Sequence, residues 1–513
     1  MMTKIIHTRF YDYFFKKSIS SKLDKSTILI FIITFFTLFP IIKPSGRLSH
    51  NEEAYFAFAH KFSEKGRYTD ENSSLFFEID RFKAIYYYIT GNIIEHVGYE
   101  STQIIGRTFI VFLHSIILSI FLSFLGLNFL AVFPIFIIFI FYFEQNLFAD
   151  FHLFTAFGSD EFALALLFIS LKSLFKKSYS KAVILNAMSI YFHIIVGFWS
   201  SFLALSYILL ESGFRDFLRK TMLLIIILFP LILYALIPYY TDGFSRTSEI
   251  ENVNKVFAER NAHHVLPFTD FGVMKQKWKN GLLILVLLSI INYFALGYNV
   301  LKSDSLKKLQ SYCLIISIQQ LFSFIASYFD NSYVFAKLYL FKLNSLFLFL
   351  SIVLIFSIIQ SLLKKVKYQN YFFIGLCIYT LYKLDIYSWG YRYKSIFIED
   401  TSKIKVDKDE LYSYVKNNTK PNGVFLIEKG ALLDFERKTG QLSFARWKFT
   451  PVYPSEIIQW YDKMIYKQNL FDGEKSSEFD FDYVITYSEN KNISEICNEV
   501  VFKNENYLLY ACK

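Results

Sequence analysis

The sequence predicts an α-helical polytopic membrane protein of about eleven transmembrane helices, followed by a small C-terminal α/β domain. Three observations carry that class. Of 513 residues, 54% are hydrophobic and 20% aromatic, which is too apolar for a soluble multidomain chain. The apolar residues fall in long runs rich in Phe, Ile and Leu, several reaching the roughly 20 residues that cross a bilayer. Finally, every second polar break between the runs is basic. Lys172, Lys176, Lys177 and Lys181 fill one break, and Arg215, Arg219 and Lys220 the next. Lys302, Lys307 and Lys308 fill a third, and Lys364, Lys365 and Lys367 a fourth. The intervening breaks are acidic or nearly uncharged, with no Lys or Arg from Glu144 to Glu161. Basic loops stay cytoplasmic, so the alternation sets topology as well as class.

Residues 1–26 form a basic N-terminal segment containing Lys4, Arg9, Lys16, Lys17, Lys22 and Lys25. Such a segment anchors to an anionic inner leaflet, so the net charge of +10 speaks for a membrane surface and against a nucleic-acid partner. The first apolar run, Ile28 to Ile42, ends among Pro40 and Pro44 without a small-residue cleavage site, and reads as a retained anchor. The membrane domain covers 27–386, with spans expected at 27–43, 106–125, 128–144, 161–175, 182–197, 199–211, 222–240, 281–300, 310–329, 339–361 and 369–386. The stretch 182–211 is read as a hairpin of two short helices turning at Gly197, because basic loops at both its ends demand an even number of crossings.

This parity places the N-terminus inside. It places the loops 43–105 and 241–280 outside, together with an extracytoplasmic domain over 387–513. In that domain Val424 to Glu428, Tyr483 to Tyr487, Glu499 to Phe502 and Tyr507 to Ala511 read as strands, and Ser455 to Tyr466 as a helix with Ser455 as its N-cap. Cys497 and Cys512 flank the last predicted hairpin. Pairing around Asn504 sets them nearly opposite, either bonded or as two free thiols. Cys313 and Cys377 read as small apolar residues of membrane helices. No P-loop, no GxGxxG and no internal repeat is present, which removes support for nucleotide-driven pumps, dinucleotide enzymes and inverted-repeat carriers.

The outward segments hold the candidate chemistry. Just past the first span, Ser49-His50-Asn51-Glu52-Glu53-Ala54-Tyr55 opens an amphipathic stretch with Tyr55, Phe58, Ala59 and Phe62 on one stripe. A helix lying along the membrane surface with carboxylates at its start is expected. Ser49 and Glu52 have the spacing of a capping box, which gives Glu52 a backbone role; Glu53 has no such role and is the preferred base. A first helix, a long outward loop opening with paired acids, many further helices and an outward C-terminal domain together resemble the GT-C class of membrane glycosyltransferases. The resemblance implies polyprenyl-phosphate or polyprenyl-diphosphate sugar donors and an acid in this loop acting on the acceptor. It makes Glu53 and Glu52 the catalytic candidates, with membrane lipids and a polyprenyl-linked sugar donor as partners.

A second set is Arg260-Asn261-Ala262-His263-His264, before Pro267. Arg suits phosphate bidentately and imidazoles add donors, so Arg260, His263 and His264 are phosphate-binding candidates. The alternative is a solvated loop that binds nothing. An Arg-x-x-His-His before a Pro also resembles a group of uncharacterised bacterial multi-pass proteins of GT-C-like layout. In their tails a turn like Asn418-Thr419-Lys420-Pro421 precedes a strand, and an Arg such as Arg446 precedes a pair like Trp447-Lys448. A third set, Asp150, His152, Asp160 and Glu161, surrounds an outward turn; Asp150 and His152 are the residue types of a divalent-metal site, although acids in outer loops commonly bind nothing. No cofactor is fixed by the sequence. His193 lies near the outer end of a predicted span and joins the substrate-binding candidates.

These features favour a GT-C-like glycosyltransferase of the bacterial cytoplasmic membrane, acting on its outer face in cell-envelope polysaccharide or glycoconjugate synthesis. A polysaccharide polymerase or ligase relying on Arg260 is one alternative, disfavoured by the C-terminal domain. A non-enzymatic scaffold or transporter in envelope assembly is another; the scarcity of charges inside the spans weighs against transport.

Overall fold

A computed structural model describes residues 24–63, 73, 75, 77–78, 80–244, 250–267, 272–297, 301, 303–363, 369–383, 392–394, 396–397, 403–428, 432–474, 480–487, 490–497 and 499–512. The basic stretch before Lys25, Lys302, and the loop of Lys364, Lys365 and Lys367 lie outside them.

Helix α1 (Lys25–Ile42) starts where the Asp24 carboxylate accepts the Thr27 N–H, and helix α2 (His50–Ser63) follows it. Helix α3 (Ala84–Phe124) is two helices merged at Gly98, whose φ of 79° and ψ of 170° are open only to glycine, and both halves bury residues. The chain continues as α4 (Phe129–Ile137), α5 (Ser159–Phe175), α6 (Tyr179–Phe192), α7 (Ile194–Ser212), α8 (Phe214–Leu231) and α9 (Ile237–Phe244). Next come α10 (Ile250–Arg260), α11 (Gly272–Gly297), α12 (Asp304–Phe329), α13 (Asn344–Leu363) and α14 (Gln369–Lys383).

Among the described residues, six helices are long and apolar enough to cross a membrane, fewer than the eleven spans expected. They are α1, α3, α7, the run of α8 into α9, α12 and α13. The shortfall has a physical origin. Helices α5, α6 and α14 have 17, 14 and 15 residues. At 1.5 Å per residue they rise only about 21–26 Å, against a hydrocarbon core of roughly 30 Å. Helix α11 opens with Lys275, Gln276, Lys277 and Lys279 and then runs through the apolar stretch Leu282–Leu288.

The hairpin expected over 182–211 exists, but it turns at His193 and not at Gly197. His193 is extended (φ −151°, ψ 104°), and its Nδ1 accepts the Val196 N–H at 3.3 Å, capping α7. The chain then folds back, bringing the Asn186 amide to the Ser200 carbonyl at 3.4 Å. Gly197 is where the two helices touch: a Cβ there would sit 2.3 Å from the Ile190 backbone nitrogen.

Hydrogen bonds sort the bundle into two ends. At one end Thr27 meets Ser123, Lys308 reaches the Phe175 carbonyl, Lys220 reaches Ser180, and Gln360 reaches the Gly126 carbonyl. At the other, His264 meets the Ala149 carbonyl, Leu147 meets Asn344, and Asn254 meets the Ser332 carbonyl.

The C-terminal α/β domain docks on this second end. It comprises α15 (Lys403–Asn418), β1 (Val424–Ile427), α16 (Phe435–Thr439), β2 (Leu442–Ser443), α17 (Pro454–Asp472), β3 (Tyr483–Thr486), β4 (Glu499–Lys503) and β5 (Leu508–Ala511). The sheet order is β2-β1-β3-β5-β4, with β1 parallel to β2 and β3, and the remaining pairs antiparallel. Val424 and Leu426 pack with Ile457 and Trp460 of α17, while Phe425 and Ile427 pack with Leu411 and Val415 of α15. This is the alternation a strand covered on both faces requires. Phe77, Val253 and Val256, from the loops expected to face outward, complete the α17 side of that core.

The predicted strands and helix are present, and Cys497 and Cys512 are bonded. Ser455 is not the N-cap. Pro454 takes the first helical position, where a missing N–H costs nothing, and Ser455 instead gives its N–H (3.0 Å) and hydroxyl (2.8 Å) to Asp242.

Candidate functional site

The capping box at the start of α2 forms as spaced. Ser49 N–H donates to Glu52 Oε2 at 2.7 Å, and Glu52 N–H to the Ser49 hydroxyl at 3.4 Å. Glu52 does more than cap. Its Oε1 also accepts from Arg107 Nε at 2.8 Å and from the Phe157 N–H at 2.9 Å, and its Oε2 from a second Arg107 nitrogen. Four donors fill the four acceptor positions of a carboxylate, so Glu52 has no lone pair left for a substrate proton. Arg107 also binds the Ile42 and Lys43 carbonyls at 2.7 and 2.6 Å, tying the end of α1 to α3.

Glu53 points the other way. Arg437 of α16 holds it bidentately, at 2.8 and 3.0 Å, and also reaches Glu100 at 3.1 Å. Burial raises the Glu53 carboxyl above its usual range although this guanidinium pulls it down. The sequence expectation of a base at Glu53 or Glu52 therefore meets one carboxylate saturated by structure and another spent on holding the α/β domain.

A half-open cleft of about 520 Å³ lies beside these residues. Ser49, Asn51, Glu52 and Tyr55 of the α2 region form one wall, and the segment from Thr155 to Asp160 the other. The second wall is firmly held. Thr155 gives its N–H (2.7 Å) and hydroxyl (3.0 Å) to buried Glu161, which is paired in turn with buried His114 at 2.8 Å. Phe157 is gripped at both backbone ends, by Glu52 and by the Tyr86 hydroxyl at 2.8 Å.

Asp160 projects into the cleft with 24% of its side chain exposed; among the described residues its one ion pair is a loose contact with Lys342 at 3.9 Å. Lys342 sits 4.4 Å over the Phe151 ring. Lys83 lies 5.1 Å over the Tyr55 ring and pairs with Asp80 at 2.9 Å. Tyr55 stands half-buried at the middle of the group, and desolvation raises its hydroxyl against the pull of Lys83, near the charges of Asp160, Asp80 and Arg260.

The Arg260 set reaches the same rim. Arg260 donates to Asn261 Oδ1 at 2.9 Å and to the Trp447 carbonyl at 3.3 Å, and its buried Nε has no partner. Lys448 reaches Asn51 in the cleft wall at 3.1 Å. His264 stacks on Phe151 with ring centroids 4.4 Å apart and binds the Ala149 carbonyl at 2.7 Å. Burial and His263 bring its imidazole down to about 3, and burial lowers His263 too, so both are neutral near pH 7. His193 caps α7 and feels the charges of Lys342 and Asp160, which places it at the same rim.

Asp150 and His152 approach each other at 3.4 Å, and Lys277 stands 3.6 Å from Asp150. The His152 hydrogen bond, helped by the charge of Lys277, holds the Asp150 carboxyl far below its usual range despite burial. Among the described residues no three of His, Cys, Asp and Glu gather in a metal-binding group.

Thus Asp160, Arg260, His193, His263, His264 and Glu52 converge, while Glu53 serves the domain contact. The sequence reading passed over Lys83, Arg107, His114 and Arg437. Arg107 and His114, ionisable groups within or beside a predicted span, carried a usable signal. Lys83 and Arg437 look like ordinary surface charges until the fold covers them. No protein-family model matches the chain, and no match to a curated protein was found.

Proposed function

We propose that the chain is a GT-C-like membrane glycosyltransferase that takes a sugar from a polyprenyl-phosphate-linked donor at the outer face of the cytoplasmic membrane. The observation that carries this reading is the cleft: Asp160 stands in it only loosely paired, with Lys342 and Lys83 near it, Lys448 on the Asn51 wall and Arg260 near Tyr55. A sugar hydroxyl is a weak nucleophile, and a carboxylate beside it accepts its proton as it attacks the anomeric carbon. The departing lipid phosphate gathers negative charge, which fixed cations stabilise.

Asp160 is assigned the first task, and Lys342 with Arg260 the second. Glu52 positions the Phe157 wall, and Glu53 keeps the α/β domain over the site. The reading includes about eleven crossings, with the N-terminus inside and the α/β domain outside. Its support is the sorting of hydrogen bonds to two ends, with the basic loops of Lys220 and Lys308 at the end away from the cleft.

Thermal melting of the purified chain with polyprenyl phosphates tests binding; a ligand at a hundred times its dissociation constant adds about 2.7 kcal/mol. Asp160→Asn is expected to keep this stabilisation and to lose transfer by at least about a hundredfold, the usual contribution of a general base. Folded protein that no polyprenyl phosphate stabilises would sink the reading.

A further inference from the structure

The cations around the cleft come from two separate parts of the fold. Lys342, beside Asp160 and His193, rises from the membrane helices, and Lys83 stands next to it over Tyr55. Arg260 and Lys448 come from the outward loop and the α/β domain, and they influence one another. Between the two groups runs a continuous aromatic edge: Lys342 covers Phe151, Phe151 meets Tyr339 at 5.8 Å, and Tyr339 lies beside Arg260.

The charges do not cancel. Asp80 offsets Lys83, and Asp160 offsets one further cation, Lys342. Among the described residues, neither Arg260 nor Lys448 has a carboxylate partner; their acceptors are Asn261, the Trp447 carbonyl and Asn51. Of the neighbouring acids, Glu52 is closed by Arg107, while Asp150 and Glu144 share Lys277. His263 and His264 add no charge near neutrality. Glu161 and His114 are buried and paired with each other at 2.8 Å. The Arg260–Lys448 station is thus the place where, among the described residues, two cations stand together without a carboxylate partner.

A sugar on a lipid monophosphate is a phosphodiester with one negative charge, whereas on a lipid diphosphate it carries two. Resting on the reading above, we infer that the donor is a polyprenyl diphosphate sugar, with the lipid-proximal phosphate beside Lys342 and the sugar-proximal phosphate between Arg260 and Lys448. This order follows from where the stations stand, the first on the membrane helices and the second under the α/β domain. In the transfer, the acceptor oxygen bonds to the anomeric carbon as the bond from that carbon to the diphosphate breaks. Asp160 takes the acceptor proton, and the lipid diphosphate leaves with the electron pair. Trp447, exposed at 42% and flanking Lys448, offers its ring to the sugar end.

The test compares undecaprenyl phosphate with undecaprenyl diphosphate as ligands of the full chain in detergent. The diphosphate is expected to bind at least about tenfold more tightly, an advantage of roughly 1.4 kcal/mol. Arg260→Ala and Lys448→Ala are each expected to erase that advantage, weakening the diphosphate about tenfold more than the monophosphate; Lys342→Ala weakens both ligands alike. Lys448→Ala, on a half-buried chain that makes one hydrogen bond, keeps the test usable if Arg260→Ala fails to fold. Equal affinity for the two lipids, or an advantage that survives both variants, overturns the diphosphate assignment and leaves the transferase reading standing. No binding of either lipid by folded protein overturns both.

Discussion

Glu52 and Glu53 are adjacent carboxylates with the same solution chemistry, and the fold gives them opposite duties. Removing charge at Glu52 strands the buried Arg107 guanidinium, and breaking a buried pair in this way costs about 3–5 kcal/mol. Glu52→Gln should therefore melt well below the parent. Glu53→Gln should melt nearer to it, because its partner Arg437 keeps Glu100. Equal melting of the two variants would refute this division. Glu456 makes a second residue-scale prediction. Burial pushes its carboxyl up to about 7, against the pull of the Glu78 N–H it accepts; Glu78 and Asp242 raise it further, and Lys61 opposes them. In the unfolded chain it titrates near 4.5, so between these values the folded state binds more protons. Stability from this group is thus fullest below about 4.5 and falls as the pH rises through 7. Lys61, which burial brings down to about 8, acts only above that window. Melting temperature should decline from pH 5 to pH 8, and Glu456→Gln, which still accepts the Glu78 N–H, should flatten the slope. An unchanged slope in the variant would show that other groups set it.

At the scale of elements, hydropathy locates helices in all the stretches predicted to be apolar, because runs of Phe, Ile and Leu dominate any local preference. It does not locate where they break. Glycine ends helices, which points to Gly197 as the α6–α7 turn, yet the chain turns at His193, whose side chain caps the next helix. Gly197 is needed instead for close approach, a tertiary fact without a local mark. Gly197→Ala should overpack the hairpin and cost about 1–3 kcal/mol. Gly375, mid-helix with nothing within 4 Å of where an added methyl would sit, is the control, and Gly375→Ala should be neutral or stabilising by up to about 1 kcal/mol. Thermal melts of the two variants in the same detergent decide between them. The strands of the α/β domain are legible for a similar reason. Val424 to Ile427 and Tyr483 to Thr486 are short β-branched and aromatic runs between turn residues, whereas two-residue β2 carries too little pattern to be seen. Ser455 has the composition of a cap, but Pro454 and distant Asp242 decide its role.

For the whole molecule, the arrangement that matters is the gathering of every outward-predicted segment at one end. Glu53 meets Arg437, Asp242 meets Ser455, Lys342 meets Asp160, and Arg260 meets Trp447, across separations no sequence pattern records. Charge alternation makes the grouping legible without its contacts. It also bears on the number of crossings. Thr27 lies at the Ser123 end and the α/β domain at the other, so the chain from α1 to α15 traverses the bundle an odd number of times. Six crossings, the number of helices among the described residues that pass the length and hydropathy test, would return both to one side, so at least one further helix, the long α11 or one of the short α5, α6 and α14, supplies another. Reporter fusions after residues 178 and 244 address this directly. Alkaline phosphatase, active only outside the cytoplasm, should be silent after 178 and active after 244 and at the C-terminus, because each of the short helices α5 and α6 then counts as a full crossing. Activity after 178, or silence at the C-terminus, would mean that at least one of those helices lies within the protein without crossing. The cleft would then need a different face of the membrane to supply its lipid.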